Sequence, residues 1–156
     1  MNKTLYKNLF KPLKLGGVKL KNRITMAPLY LGYVAMGGKI SPLLLYHYKD
    51  MAKSGAALIV VENASITPNG SGSPRTIRCD HNRYLNGLNK LALSIKNEKS
   101  LACLQINHAG RFAYVSEPVA PSAIPAFKRT PRPLLKKEVS LHPQSGWPQE
   151  GPWKGP

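Results

Sequence analysis

The chain has 156 residues, enough for one domain with a hydrophobic core and too few for two ordinary domains. Its hydrophobic content of 42% excludes a disordered chain, and no apolar run approaches the roughly 18 residues that span a bilayer. Lys plus Arg number 23 against 7 Asp plus Glu, which gives a net charge of +16. These bases are spread along the chain without a nucleic-acid recognition motif, so we expect no specific binding of RNA or DNA.

The N-terminus and the cysteines indicate a cytoplasmic protein. The opening residues MNKTLYKNLFKPLKLGG contain no apolar segment of the signal-peptide kind. Cys79 and Cys103 stand 24 residues apart, a spacing that indicates neither a disulfide framework nor a metal-ligand pair. We therefore expect two reduced thiols, no metal site and no membrane association.

The first third of the chain predicts a hairpin, a strand and a helix. KPLKLGGVKLKNR is typical of a hairpin that turns at Gly16–Gly17, and the apolar run over residues 24–27 follows as a strand. Ser41 suits a helix N-cap, Pro42 suits the first helical position, and Gly55 suits a C-terminal stop. The helix is therefore predicted between Ser41 and Gly55.

The middle third predicts two more strands, over 57–61 and 100–106, separated by a helix within 82–99. Strands that alternate with helices form right-handed crossovers and a parallel sheet. From Phe112 onward the chain is rich in proline, and the pattern predicts no further strand. We divide it into one domain over residues 1–139 and a disordered tail over 140–156.

Polar residues follow each predicted strand at its carboxyl end, in the segments MAPLYLGY, ENASITPNG and QINHAGR. Functional groups of parallel α/β folds collect at these ends. Each residue also has an ordinary explanation, because a Gln can bond loop amides and His108 can cap a turn. The residues alone leave both interpretations open.

Five segments in order resemble one family: LFKPLKLGGVKLKNRITMAPL, GGKIS, YHYKDMAKSGAALIVVENASITPNG, LQINHAGR and PVAPSAIP. Together they resemble the old yellow enzyme family of FMN-dependent NADH:flavin oxidoreductases and ene-reductases, over residues 9–138. The Asn that follows Glu62 and the QINHAGR form of the third strand end are most similar to the 2,4-dienoyl-CoA reductase and enoate reductase subgroup. The resemblance implies an α/β fold that is the N-terminal, incomplete portion of a (β/α)8 TIM barrel.

The resemblance also implies a flavin-facing set of residues at the three strand ends. The segment Met26–Ala27–Pro28 and the residues after it contribute main-chain groups, and the other strand ends contribute side-chain amides suited to the polar edge of the flavin ring. The implied cofactor-binding residues are Ala27, Pro28, Leu29, Tyr30, Asn63 and Gln105. Tyr30 departs from the family, which places Thr or Cys there, while His108 and Arg111 match a turn with a structural role.

No catalytic residue is assigned, because the family's substrate-binding, proton-donating and phosphate-binding groups lie on later strands. Intact relatives use NAD(P)H to reduce FMN and pass a hydride to an activated C=C of a small-molecule substrate. A whole barrel needs about 250 residues, so we expect an inactive, truncated fragment whose binding of FMN is weak. In such a fragment, residues such as Leu58, Val60 and Leu104 would be exposed on the inner face of the sheet. The alternative is a non-catalytic chain that self-associates, joins a complementary half-barrel or binds nucleic acid non-specifically through its charge.

Overall fold

A computed structural model describes residues 5–141. A short antiparallel hairpin, β1 (Leu13–Leu15) and β2 (Val18–Leu20), comes first and turns at Gly16, whose φ of +54° favours glycine. The core elements follow in the order β3 (Thr25–Met26), α1 (Pro42–Lys53), β4 (Leu58–Ser65), β5 (Ile77–Arg78), α2 (Leu85–Lys96) and β6 (Leu101–Asn107). The predicted order of strands and crossover helices is confirmed.

Helix α1 begins where the sequence predicts it. The Ser41 hydroxyl accepts a 3.1 Å hydrogen bond from the Leu44 amide, and Pro42 occupies the first turn, where its missing N–H costs nothing. Leu44, Tyr48 and Ala52 lie one turn apart and are all fully buried. The helix therefore packs this one face against the sheet.

Helix α2 is shorter than the predicted range of 82–99. The first three residues of that range, Asn82–Tyr84, form a 3₁₀ turn ahead of the helix, and the helix ends at Lys96. Lys99 then takes a φ of +60° at the tight turn that leads into β6. Leu91 and Ile95 are the residues that α2 buries in the core.

The sheet is parallel, and β4 is its centre. β3 pairs with the start of β4, β6 pairs along nearly all of β4, and β5 pairs with its last two residues. The β4–β6 register skips between Val61 and Ala64, which places a bulge at residues 62 and 63. This bulge lies at the carboxyl end of the sheet.

The two faces of the sheet differ in burial. Ile59 and Val61 pair with Ala102 and Leu104 on the face that packs against the helices, whereas Val60 pairs with Cys103 on the other face. Leu58 and Val60 are only half-buried on that open face, as expected. The expectation for Leu104 was wrong, because side chains alternate along a strand and this one points toward the helices.

Beyond β6 the chain is more regular than its prolines suggested. β7 (Val119–Ala120) pairs in parallel with β8 (Arg132–Pro133), so the expectation of no further strand was wrong. Helix α3 (Lys136–Leu141) continues past the predicted domain boundary at residue 139. The rest of the predicted tail lies outside the described residues. Within residues 5–141, no helix has the length and apolar character needed to cross a bilayer.

Candidate functional site

Three strand ends meet around one buried carboxyl group, that of Glu62. Its Oε2 accepts a 2.6 Å hydrogen bond from the Leu31 amide, in the loop after β3. Its own amide donates a 2.7 Å hydrogen bond to the Tyr48 hydroxyl, on α1. These two contacts tie β3, β4 and α1 together. Glu62 itself lies in the bulge opposite β6, at the carboxyl edge of the sheet.

The carboxyl group of Glu62 is buried. The residue is 1% exposed, and its Oε1 has no hydrogen-bond partner among the described residues. Burial raises the pKa of Glu62, and the hydrogen bond from Leu31 offsets part of that rise. Burial likewise raises the pKa of Tyr48 to about 12, so its hydroxyl stays neutral.

Four of the predicted site residues lie in the segment that leaves β3. Pro28 is half-buried, and Ala27, Leu29 and Tyr30 are exposed, Leu29 by 61% and Tyr30 by 50%. Large apolar groups exposed next to a strand end can contact a planar ligand. The hydrogen bond from Leu31 to Glu62 fixes the path of this segment against β4.

The other two predicted residues, Asn63 and Gln105, lie on neighbouring strands. Leu104 pairs with Val61 and Ile106 pairs with Ala64, so Gln105 lies opposite the bulge that contains Asn63. Asn63 is half-buried and Gln105 is exposed, and neither side-chain amide hydrogen-bonds to another described residue. Two unused amides on neighbouring strands are thus available to a ligand with donors and acceptors on one edge.

A second connection joins the loops after β3 and β4. The hydroxyls of Tyr30 and Ser73 lie 2.6 Å apart, and Ser73 Oγ also accepts a 3.0 Å hydrogen bond from the Arg75 amide. Arg75 in turn donates from its guanidinium to the Val34 carbonyl at 3.0 Å. Tyr30 is therefore held in place by a loop about forty residues away in sequence.

The turn after β6 is a packed structural element. His108 Nδ1 accepts a 3.0 Å hydrogen bond from the Gly110 amide, and the Ala109 amide donates to the Gly70 carbonyl at 2.8 Å. Gly70 lies so close to the His108 ring that a Cβ there would stand 2.6 Å from its Cδ2. This geometry fits the structural role expected for the turn.

Sequence reasoning missed the group that organises the site. A carboxylate within the apolar run of β4 was a signal for Glu62, because buried acids occur only with specific partners. Nothing in the sequence indicated that the partners are the Leu31 amide and Tyr48. The role of Ser73 had no sequence signal either.

Comparison with known proteins places this chain in a family. Residues 8–142 match the model of the NADH:flavin oxidoreductase / NADH oxidase family. The NADPH dehydrogenase of Bacillus licheniformis is 36% identical over 137 residues, 85% of this chain and 40% of that protein. The NADH oxidase of Thermoanaerobacter brockii is 32% identical over 87% of this chain and 22% of its own length. The chain thus spans less than half of either relative.

Solved structures give the same result. A 2-naphthoyl-CoA reductase superposes with a TM-score of 0.85 at 26% identity, over 90% of this chain and 24% of that one. Morphinone reductase superposes with a TM-score of 0.78 at 25% identity, over 88% of this chain and 44% of that one. An old yellow enzyme homologue from Zymomonas mobilis shares the fold, with a TM-score of 0.80. The chain belongs to the NADH:flavin oxidoreductase / NADH oxidase family, and it corresponds to an N-terminal part of the old yellow enzyme TIM barrel.

Proposed function

We propose that this chain forms one wall of an FMN site in an NAD(P)H:flavin oxidoreductase of the ene-reductase type. The observation that carries the proposal is the meeting of three strand ends around Glu62, which brings the six predicted residues to one edge of the sheet. When bound, FMN supplies the hydride chemistry, and the protein's part is to position the ring.

The residues present fit the polar edge of a flavin. The ring offers an N–H donor at N3 and carbonyl acceptors at O2 and O4, and a side-chain amide can both donate and accept. Asn63 and Gln105 lie next to each other with their amides unused by other described residues. The segment from Ala27 to Tyr30, exposed except at the half-buried Pro28, would flank the apolar part of the ring.

The contribution of the chain to catalysis is binding and orientation. Glu62 holds the segment after β3 through the Leu31 amide, and Ser73 holds the Tyr30 hydroxyl. Rigid positioning of this kind lowers the entropic cost of binding a planar ligand. Inactivity of the chain by itself, NAD(P)H as the donor, an activated C=C as the acceptor and a cytoplasmic location remain predictions.

The test is a titration of the purified chain with FMN, followed by the visible flavin absorbance band and by circular dichroism. We expect a folded chain and a perturbed flavin band. Asn63→Ala and Gln105→Ala should each weaken binding up to about tenfold, the value of one lost hydrogen bond. Asn89→Ala, on the exposed surface of α2, is the matched control and should leave binding unchanged.

Riboflavin sharpens the test because it lacks the phosphate. The proposed wall contacts only the ring, so at about 0.5 M salt, where charge attraction is screened, FMN and riboflavin should bind equally. A folded chain that leaves the flavin band unchanged would refute the proposal. The same holds if Asn63→Ala and Asn89→Ala bind flavin alike.

A further inference from the structure

A cavity of about 270 Å³ lies between the loop ahead of α1 and the start of α2. Three basic side chains line it, those of Lys39, Arg78 and Arg83, and none of the residues that line it is acidic. Pockets for drug-sized ligands measure roughly 300–1,000 Å³, so this one suits a smaller ligand. We call it the basic cavity.

Two close approaches fix the walls of the basic cavity. The amide of Arg78, the last residue of β5, donates a 3.1 Å hydrogen bond to the Gly38 carbonyl, and a Cβ on Gly38 would collide with the Arg78 side chain. A Cβ on Gly87 would lie 3.1 Å from Cγ1 of Ile40. The loop ahead of α1 is therefore packed against both β5 and the first turn of α2.

The charge of Arg78 is neutralised within the chain. Its Nε donates a 2.6 Å hydrogen bond to Oδ1 of Asp80, and one of its terminal nitrogens donates to the other carboxylate oxygen. This pair holds the pKa of Asp80 below its ordinary value, so the carboxylate stays charged. The guanidinium carbon of Arg78 also lies 5.5 Å from the centre of the Tyr84 ring. Arg78 thus supports the wall of the cavity and adds little net charge to it.

Lys39 and Arg83 keep their charge. Both side chains are exposed, and neither forms an ion pair with a described carboxylate. The guanidinium carbon of Arg83 lies 5.1 Å from the centre of the Tyr84 ring, which is buried and whose hydroxyl donates a 3.1 Å hydrogen bond to the Gly37 carbonyl. A fixed ring therefore orients Arg83, and two uncompensated positive charges meet at one small cavity.

The start of α2 adds a smaller contribution. Asn86 and Gly87 belong to its first turn and line the cavity. That turn contains no acidic residue, so the partial positive charge of the helix end is not offset by a side chain there. The side-chain amide of Asn86 is a further donor.

We propose that the basic cavity binds the phosphate or diphosphate group of a small molecule, with Arg83 and Lys39 as its charged partners. A guanidinium matches two phosphate oxygens at once, and an ammonium acts as a point charge beside it. Nucleic acid fits less well, because its backbone contacts basic side chains arranged along its length, whereas these two meet at one depression. None of the six residues of the proposed flavin site lines the cavity, so the two sites are independent proposals.

The test is a calorimetric titration of the purified chain with pyrophosphate and with inorganic phosphate, and circular dichroism establishes that the chain is folded. Flavin is left out, so the outcome is separate from that of the FMN titration. We expect one pyrophosphate per chain, bound more tightly than phosphate because it carries more charge. Added salt should weaken both complexes.

A pair of double variants separates a local site from general charge attraction. Lys39→Gln combined with Arg83→Gln should weaken pyrophosphate binding at least about tenfold, because charged hydrogen bonds are lost. Lys14→Gln combined with Arg23→Gln removes the same charge from exposed positions near the amino ends of the strands. This control should bind pyrophosphate like the native chain.

A second pair separates repulsion of the ligand from loss of folding. Asn86→Asp places a carboxylate in the cavity at the start of a helix, where negative charge is stabilising. Its thermal midpoint should therefore not fall, while pyrophosphate binding should weaken at least about tenfold. Asn89→Asp makes the same chemical change about one turn later and outside the lining, and it should leave binding unchanged.

Four results would overturn the proposal. The first is a folded chain that binds no pyrophosphate at up to about 10 mM. The second is an equal loss of binding in the two double variants, and the third is an equal effect of Asn86→Asp and Asn89→Asp. The fourth is an RNA oligonucleotide that binds more tightly than pyrophosphate and requires Lys39 and Arg83, which would identify nucleic acid as the occupant.

Discussion

The Leu31 amide donates a 2.6 Å hydrogen bond to Oε2 of Glu62, and this bond fixes the loop after β3 to the bulge in β4. We expect Glu62→Ala to lower the free energy of unfolding by about 1–3 kcal/mol, because it leaves the Leu31 amide without its acceptor. Glu62→Gln keeps a carbonyl oxygen at that position and should cost less. Urea denaturation followed by circular dichroism measures both, and equal costs for the two variants would contradict this role.

The raised pKa of Glu62 predicts a pH dependence. The folded chain holds this proton more tightly than the unfolded chain, whose carboxyl has its ordinary pKa near 4.5. The stabilisation is therefore fully present below that pH and is lost as the pH rises through the higher folded-state value. Gln cannot ionise, so the stability of Glu62→Gln should rise relative to the native chain as the pH increases from about 4.5 through the raised folded-state pKa of Glu62.

The comparison between Glu62→Gln and the native chain also cancels the pH dependence contributed by other titrating groups. The pKa of Asp80 is lowered by its hydrogen bond with Arg78, so its contribution has the opposite sign and is lost as the pH falls through the lowered value. Both proteins contain Asp80, and it cancels in the difference. A difference that stays flat over the whole range would show that Glu62 titrates normally.

The Tyr48 hydroxyl provides a third prediction. It is fully buried and accepts a 2.7 Å hydrogen bond from the Glu62 amide, so Tyr48→Phe should cost about 1–2 kcal/mol of unfolding free energy. Tyr46→Phe on the same helix is the matched control, because Tyr46 is 68% exposed. We expect the control to lie within about 0.5 kcal/mol of the native chain. Indistinguishable midpoints for the two variants would contradict the prediction.

Gly70 and Gly72 form a matched pair for packing. A Cβ on Gly70 would lie 2.6 Å from His108 Cδ2 and 2.9 Å from the hydroxyl oxygens of Ser65 and Thr67. Gly70→Ala should therefore destabilise the chain by about 1–3 kcal/mol. A Cβ on Gly72 meets ordinary contacts of 3.5 Å or more, so Gly72→Ala should be neutral or slightly stabilising. Thermal unfolding measures the stability of both variants, and a larger loss for Gly72→Ala than for Gly70→Ala would be inconsistent with the packed turn.

The link between Tyr30 and Ser73 can be measured by a double-mutant cycle. Their hydroxyls lie 2.6 Å apart, so Tyr30→Phe and Ser73→Ala should be coupled by about 0.5–1 kcal/mol in unfolding free energy. Additive effects would show that the two loops are independent.

The sequence by itself determined the elements whose signals are local. The Ser41–Pro42 start of α1, the turn at Gly16 and the spacing of Leu44, Tyr48 and Ala52 each depend on residues within a few positions of one another. The parallel sheet then followed from the alternation of strands and helices, and the shared edge of the strand ends followed from the parallel sheet.

Only the tertiary structure decided the contacts between distant segments. The two-residue strands β5, β7 and β8 are too short to show a periodicity, so no pattern predicted them. The bulge at Glu62 and Asn63 and the bond from Leu31 to Glu62 depend on register and on a main-chain amide that every non-proline residue has. The residues at the site could thus be named from the sequence, whereas the buried carboxyl that organises them became visible only when the strands were brought together.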